Sequence, residues 1–171
     1  MTKAATPAPT LPLAFTLNGR PVARTVPTSR LLSDLLRDDL NLKGTRVACG
    51  RTVCGACTVL IDGVPRAACS TFAFEVEGAE VLTIEGVEAP GRQMDAVQRA
   101  FARLSAFQCG FCTSGMVLLV RALLDENPRP DPATVRAHIS SNICRCTGYG
   151  LILDAVELAA TLRAAEAEAQ P

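Results

Sequence analysis

Two cysteine pairs in the second half of the chain are spaced so that both sulfurs of each can face one point. They are Cys109 and Cys112 in Gln108-Cys-Gly-Phe-Cys112, and Cys144 and Cys146 in Cys-Arg-Cys. A second quartet, Cys49, Cys54, Cys57 and Cys69, lies upstream among small and basic residues. All 8 cysteines of the chain fall into these two groups. The pattern implies two metal centres, iron–sulfur clusters foremost, and the chemistry of electron transfer.

The first quartet has four residues between Cys49 and Cys54 and two between Cys54 and Cys57, with Cys69 arriving later. Those are plant-type [2Fe–2S] spacings, in which a loop wraps the cluster. Gly50, Gly55 and Ala56 leave backbone N–H groups free for negatively charged sulfur, and Arg46 and Arg51 add positive charge nearby. Four cysteines can also make a tetrahedral zinc site, but this is not the usual two-knuckle zinc spacing. A cluster is favoured over zinc, and disulfides come last.

The second quartet is ambiguous when taken alone among zinc, a redox dithiol and a cluster. A dithiol at Cys109–Cys112 lacks the βαβ setting of thioredoxin-like motifs. Each pair is expected to open a helix, whose N-terminal N–H groups and partial positive charge suit an anionic cluster.

The elements that must position these cysteines follow from periodicity. Phe15–Val26 alternates around Asn18-Gly19, a hairpin signal, and Cys57–Ala67 turns at Asp62-Gly63. Ser29 is expected to cap a short helix whose stripe is Leu31, Leu32, Leu35 and Leu36, with Asp34 in its early turns. Val81–Ile84 reads as a last strand, and Glu88–Gly91 as a linker. Helical spacing follows in three stretches. It runs over Met94, Val97, Ala100, Phe101 and Leu104, then over Met116, Leu119, Val120 and Leu123, then from Asp131-Pro132 through Val135 and Ile139. A fourth, Ala-rich helix is expected from Leu151 to about Ala165. The fold class is therefore α+β. The expected divisions are a flexible tail over 1–12, a strand-rich domain over 13–88, a four-helix domain over 92–165 and a fraying tail over 166–171.

Other residues invite plain readings. His138 is expected to lie on a helix surface or to pack rather than to ligate, Glu75, Glu77 and Glu80 to face solvent, and Arg99, Arg103 and Arg121 to lie on helix surfaces or meet a partner. A formal net charge of zero leaves nucleic-acid binding without an electrostatic footprint. No apolar run reaches the roughly 18 residues of a membrane span. No secretion signal is visible at the N-terminus, so the expected location is the cytoplasm, where thiols stay reduced. There is no phosphate loop, dinucleotide fingerprint or Ser/His/Asp constellation, so substrate chemistry is expected on another chain.

Several stretches together resemble the small iron–sulfur subunit of the molybdenum hydroxylases, the family of xanthine dehydrogenases, aldehyde oxidoreductases and aerobic CO dehydrogenases. They are CGACTVLIDG (54–63), TIEG (83–86), QCGFCTSGM (108–116), LLDENPRP (123–130) and SSNICRCTGY (140–149). The resemblance implies a plant-ferredoxin-like β-grasp domain holding one [2Fe–2S] cluster through Cys49, Cys54, Cys57 and Cys69. It further implies a four-helix bundle domain holding a second through Cys109, Cys112, Cys144 and Cys146. Gln108 and Cys146 would approach the pterin of a molybdenum cofactor, of the molybdopterin cytosine dinucleotide type, in a large partner subunit. Electrons would leave singly towards FAD on a medium subunit or an external acceptor, within a dimer of heterotrimers. Four positions depart from the family pattern: Ala48 and Thr52 where Gly is common, Ser114 for Pro, and Ser141 for Gly. Thr52 is the one where strain is expected, should the loop need a positive φ.

Overall fold

The computed structural model describes residues 8–88 and 93–169. The first seven residues, most of the linker and the last two residues lie outside this range.

Two tight hairpins frame the N-terminal half. β1 (Thr10–Leu17) pairs antiparallel with β2 (Arg20–Pro27), and β3 (Thr58–Ile61) with β4 (Val64–Ala67). Each turns on two residues, Asn18-Gly19 and Asp62-Gly63, all four with positive φ, the geometry that matches the twist of the flanking strands. β5 (Glu80–Leu82) closes a five-stranded mixed sheet of order β2-β1-β5-β3-β4, parallel to β1 and antiparallel to β3. β1 starts at Thr10, so the expected tail already pairs with Pro27 there.

A short helical segment, α1 (Leu32–Asp34), continues as a wider π-type turn over Leu35–Asp39 and lays Leu32, Leu35 and Leu36 on the sheet. Ser29 does not cap it. Leu31 bridges to Phe72, and that pairing sets where the helical segment can begin.

The second half contains α2 (Ala96–Arg103), α3 (Thr113–Glu126), α4 (Pro132–Ile139) and α5 (Gly150–Glu168). Met94 is 54% exposed and lies before α2. The reason is local: Asp95 accepts from Gln98 N while Gln98 accepts from Asp95 N, a reciprocal cap that fixes the helix start. α3 is apolar around its whole circumference and is accordingly buried from Gly115 to Val120. It packs on α2, α4 and the sheet strand β3, so Leu60 of the sheet belongs to the helical core. α5 runs to Glu168, beyond the expected end. Its alanines favour helix, and Arg99 pairs with Glu166 while Arg163 reaches Asp125 at 2.6 Å.

The plain readings fare unevenly. His138 Nε2 lies 3.0 Å from the Leu119 carbonyl and packs α4 on α3. Arg121 meets Asp95 at 3.1 Å, an intramolecular pair between α3 and the cap of α2. Glu77 is more than a solvated residue, because its carboxylate accepts from Ala14 N at 2.7 Å. Glu75 likewise accepts from Phe72 N at 2.6 Å. Among the described residues no helix is long and apolar enough to cross a membrane.

Candidate metal centres

The eight cysteines fall into one group beside the sheet and one among the helices, and all are free thiols. In the first group Cys49 and Cys54 sit in the loop before β3, Cys57 abuts β3, and Cys69 follows β4. Because β3 and β4 are a hairpin, Cys57 and Cys69 meet across its open end, where Ala68 N donates to Cys57 O at 3.2 Å. In the second group Cys112 occupies the N-cap position of α3, and Cys144 and Cys146 precede α5.

The thiols influence one another in pairs. Cys49 lies against Cys54, Cys57 against Cys69, and Cys112 against Cys144. Cys146 Sγ stands 3.5 Å from Cys109 Sγ. Among the described residues no three His, Cys, Asp or Glu side chains are set to hold a single metal ion. A two-iron cluster makes a different demand, four thiolates in all with two on each iron. Each quartet could supply them.

The electrostatics differ between the members of each group. Arg51 N donates to Cys49 Sγ at 3.4 Å, and backbone N–H groups lower that thiol to about 6. Burial pushes Cys57 and Cys112 up to about 12. The Phe111 N–H and the Cys146 thiol hold Cys109 below its ordinary value, while Cys146 is raised because it donates to Cys109. Burial opposes ionisation of Cys144, but the Thr147 hydroxyl, 3.1 Å from its sulfur, and nearby N–H groups outweigh it. Binding a metal must displace the protons that remain, as it does for any thiolate ligand.

Gln108 is exposed, and its Nε2 donates to the Cys146 carbonyl at 3.2 Å, so these two residues do meet. Sequence reasoning misses Asn142 and Tyr149. Tyr149 Oη accepts from Cys144 N at 2.8 Å and donates to Asn142 O at 3.1 Å, pinning the turn before the last cysteine pair. The lone tyrosine of the chain, standing beside that pair, is the only signal for it.

The four departures sort by geometry. Thr52 has φ 63°, whereas neither Ala48 nor Ser141 is among the described residues of positive φ. Ser114 donates to the Gly44 carbonyl at 2.7 Å, a contact a proline could not make. A left-handed β-branched residue costs about 1–2 kcal/mol, and glycine returns part of that through chain entropy. Thr52→Gly is expected to stabilise the chain by up to about 1 kcal/mol. The denaturant midpoint reports it, and a lower midpoint in the variant would mean that the strain is absent.

Known proteins match this arrangement in sequence and in shape. Family models described as a [2Fe-2S] binding domain and a 2Fe-2S iron-sulfur cluster binding domain match residues 83–157 and 32–99. The beta subunit of the 6-hydroxypseudooxynicotine dehydrogenase complex of Paenarthrobacter nicotinovorans is 45% identical over 84% of this chain and 89% of its own length. The aldehyde oxidoreductase iron-sulfur-binding subunit of Escherichia coli is 40% identical over 92% of this chain and 75% of its own. The solved structure of quinoline 2-oxidoreductase from Pseudomonas putida 86 superposes with a TM-score of 0.86 at 41% identity, covering 91% of this chain and 97% of that one. The aldehyde oxidoreductase of Desulfovibrio desulfuricans gives the same TM-score, with the match confined to 17% of its much longer chain. The chain belongs to the small [2Fe–2S] iron–sulfur subunits of the molybdenum hydroxylases, oxidoreductase components that transfer electrons while the substrate chemistry resides on a partner.

Proposed function

We propose that Cys49, Cys54, Cys57 and Cys69 hold one [2Fe–2S] cluster and that Cys109, Cys112, Cys144 and Cys146 hold a second. The sheet half then corresponds to a ferredoxin-like β-grasp unit and the helical half to a four-helix unit. When bound, each cluster gains or loses one electron at a time. The chain's contribution is to order the path. The helical quartet would hold the cluster that takes electrons from a molybdopterin cytosine dinucleotide cofactor on a large subunit, and the sheet quartet the one that passes them to FAD on a third chain or to an external acceptor. The assembly is assigned to the cytoplasm.

What carries this reading is the open edge of the helical quartet. Cys109 and Cys146 are exposed, Gln108 is tied to Cys146, and Phe107, Phe111 and Ile143 are apolar side chains exposed around them. Cys144, by contrast, is buried. A centre exposed on one edge and insulated on the other can face a partner's redox group while remaining shielded from water.

Electron paramagnetic resonance of the dithionite-reduced complex, with iron and sulfide counts, tests it. Two distinct signals and about four irons per chain are expected from two such clusters. One signal, or zinc in place of iron, would remove the corresponding quartet from the scheme. Gln108→Ala is expected to slow turnover while leaving iron content at the wild-type level. Full turnover in a fully loaded variant would show that Gln108 has no part in the entry step.

A further inference from the structure

The two quartets lie in different halves of the chain, yet their backbones touch. Ile143 N donates to the Cys54 carbonyl at 2.9 Å. Cys54 belongs to the sheet quartet, and Ile143 is the residue directly before Cys144 of the helical quartet. A second bond lies beside it: Asn142, fully buried, donates from Nδ2 to the Gly55 carbonyl at 3.1 Å. From Cys54 to Cys144 the path therefore runs through covalent bonds, broken only by the hydrogen bond from Ile143.

Two glycines make the approach possible. A Cβ at Gly55, whose φ is +68°, would stand 2.5 Å from the Ser141 carbonyl oxygen. One at Gly115 would stand 2.5 Å from the Gly55 carbonyl oxygen and 2.9 Å from Asn142 Nδ2. The obstacles are mostly backbone, which cannot swing aside as a side-chain tip can. On the helical side, Tyr149 clamps the same turn by bonding Asn142 O and Cys144 N at once, and it does so from a left-handed backbone with φ 69°. Its two bonds fall on the residues either side of Ile143, so the ring fixes the direction in which the Ile143 N–H points. That left-handed conformation is costly for a bulky residue and persists only where its surroundings enforce it.

We propose that Tyr149 is a positioning residue for electron passage between the two clusters, and that it acts by holding closed the bridge from Ile143 N to Cys54 O. The inference rests on the two-cluster reading above. One electron moves at a time: the donor centre goes from one ferrous and one ferric iron to two ferric, and the acceptor does the reverse. No proton is transferred and no covalent bond forms or breaks. Every atom of the bridge is already in place, so the step asks for no rearrangement.

The test uses the assembled complex with its clusters in place. Less than one equivalent of dithionite is added, samples are frozen at increasing times, and the electron's redistribution between the two resonance signals is followed. Tyr149→Phe removes the clamp while keeping the ring, and Ile143→Pro removes the bridging N–H itself. Gly150→Ala, which adds a methyl into open space beside Tyr149, serves as the control.

Both bridge variants are expected to keep iron content and both signals but to redistribute the electron more slowly than wild type, with Ile143→Pro the slower and Gly150→Ala unchanged. Wild-type redistribution in a loaded Tyr149→Phe overturns the proposal, and so does wild-type redistribution in a loaded Ile143→Pro. Should Ile143→Pro fail to load iron, Tyr149→Phe decides alone. Loss of the helical cluster in both variants also overturns it, because the turn is then structural only. If wild type itself shows a single cluster, the two-cluster reading is what has failed.

Discussion

Cys112→Ala is expected to remove one of two iron centres and leave the other intact. Iron should fall to about half of the roughly four per chain that two [2Fe–2S] clusters require, and one of two resonance signals should vanish. Cys112 is the informative choice because it is partly buried against Cys144 and occupies the N-cap position of α3. An outer ligand such as exposed Cys109 could be replaced by water or an added thiol, whereas nothing outside reaches Cys112 as readily. Alanine is preferred to serine because a hydroxyl could still bind iron. The sheet quartet should survive, since Cys57 and Cys69 pack in a separate core with Leu32, Leu35 and Val59. Turnover of the complex should collapse with the missing relay. Four irons and two signals in the variant would show that Cys112 is not a ligand.

The cysteine groups were legible because the residues recur at short, regular spacings, and the hairpins because Asn-Gly and Asp-Gly turns have a strong backbone preference. The helices were legible from their apolar period. What escaped were features that leave no mark on residue type. The bond from Ile143 N to Cys54 O joins backbone to backbone, so any residue pair could make it. The start of α1 is decided by a tertiary bridge, Leu31 to Phe72, rather than by Ser29. Met94 is a different case: it fits the helical period, yet Asp95-x-x-Gln98, a cap that residue type does signal, excludes it. Thr52 shows the opposite case: the departure from glycine was visible in the sequence, and the positive φ makes its cost physical.

Gly115→Val is expected to be the most destabilising single change in the seam between the two halves. Gly115 lies in the first turns of α3, where its own backbone would accept any residue. The obstacle is the opposing loop. A Cβ there would meet the Gly55 carbonyl oxygen at 2.5 Å, Asn142 Nδ2 at 2.9 Å and the Ala56 carbonyl carbon at 3.3 Å. Two of these are backbone atoms of the loop that carries Cys54 and Cys57, and the third belongs to a buried side chain already bonded to Gly55. Overpacking of this kind costs about 1–3 kcal/mol, and the two further methyls of valine put the expected loss at the upper end. Valine recovers only a few tenths of a kcal/mol over glycine through helix propensity, too little to change the sign. The denaturant midpoint of the loaded chain should therefore fall well below that of Gly150→Ala, a substitution that meets nothing within 4 Å. Because the displaced loop bears two cysteines of the sheet quartet, that cluster should also be lost earlier during unfolding. Equal midpoints for the two variants would mean that the loops do not approach as closely as the geometry places them.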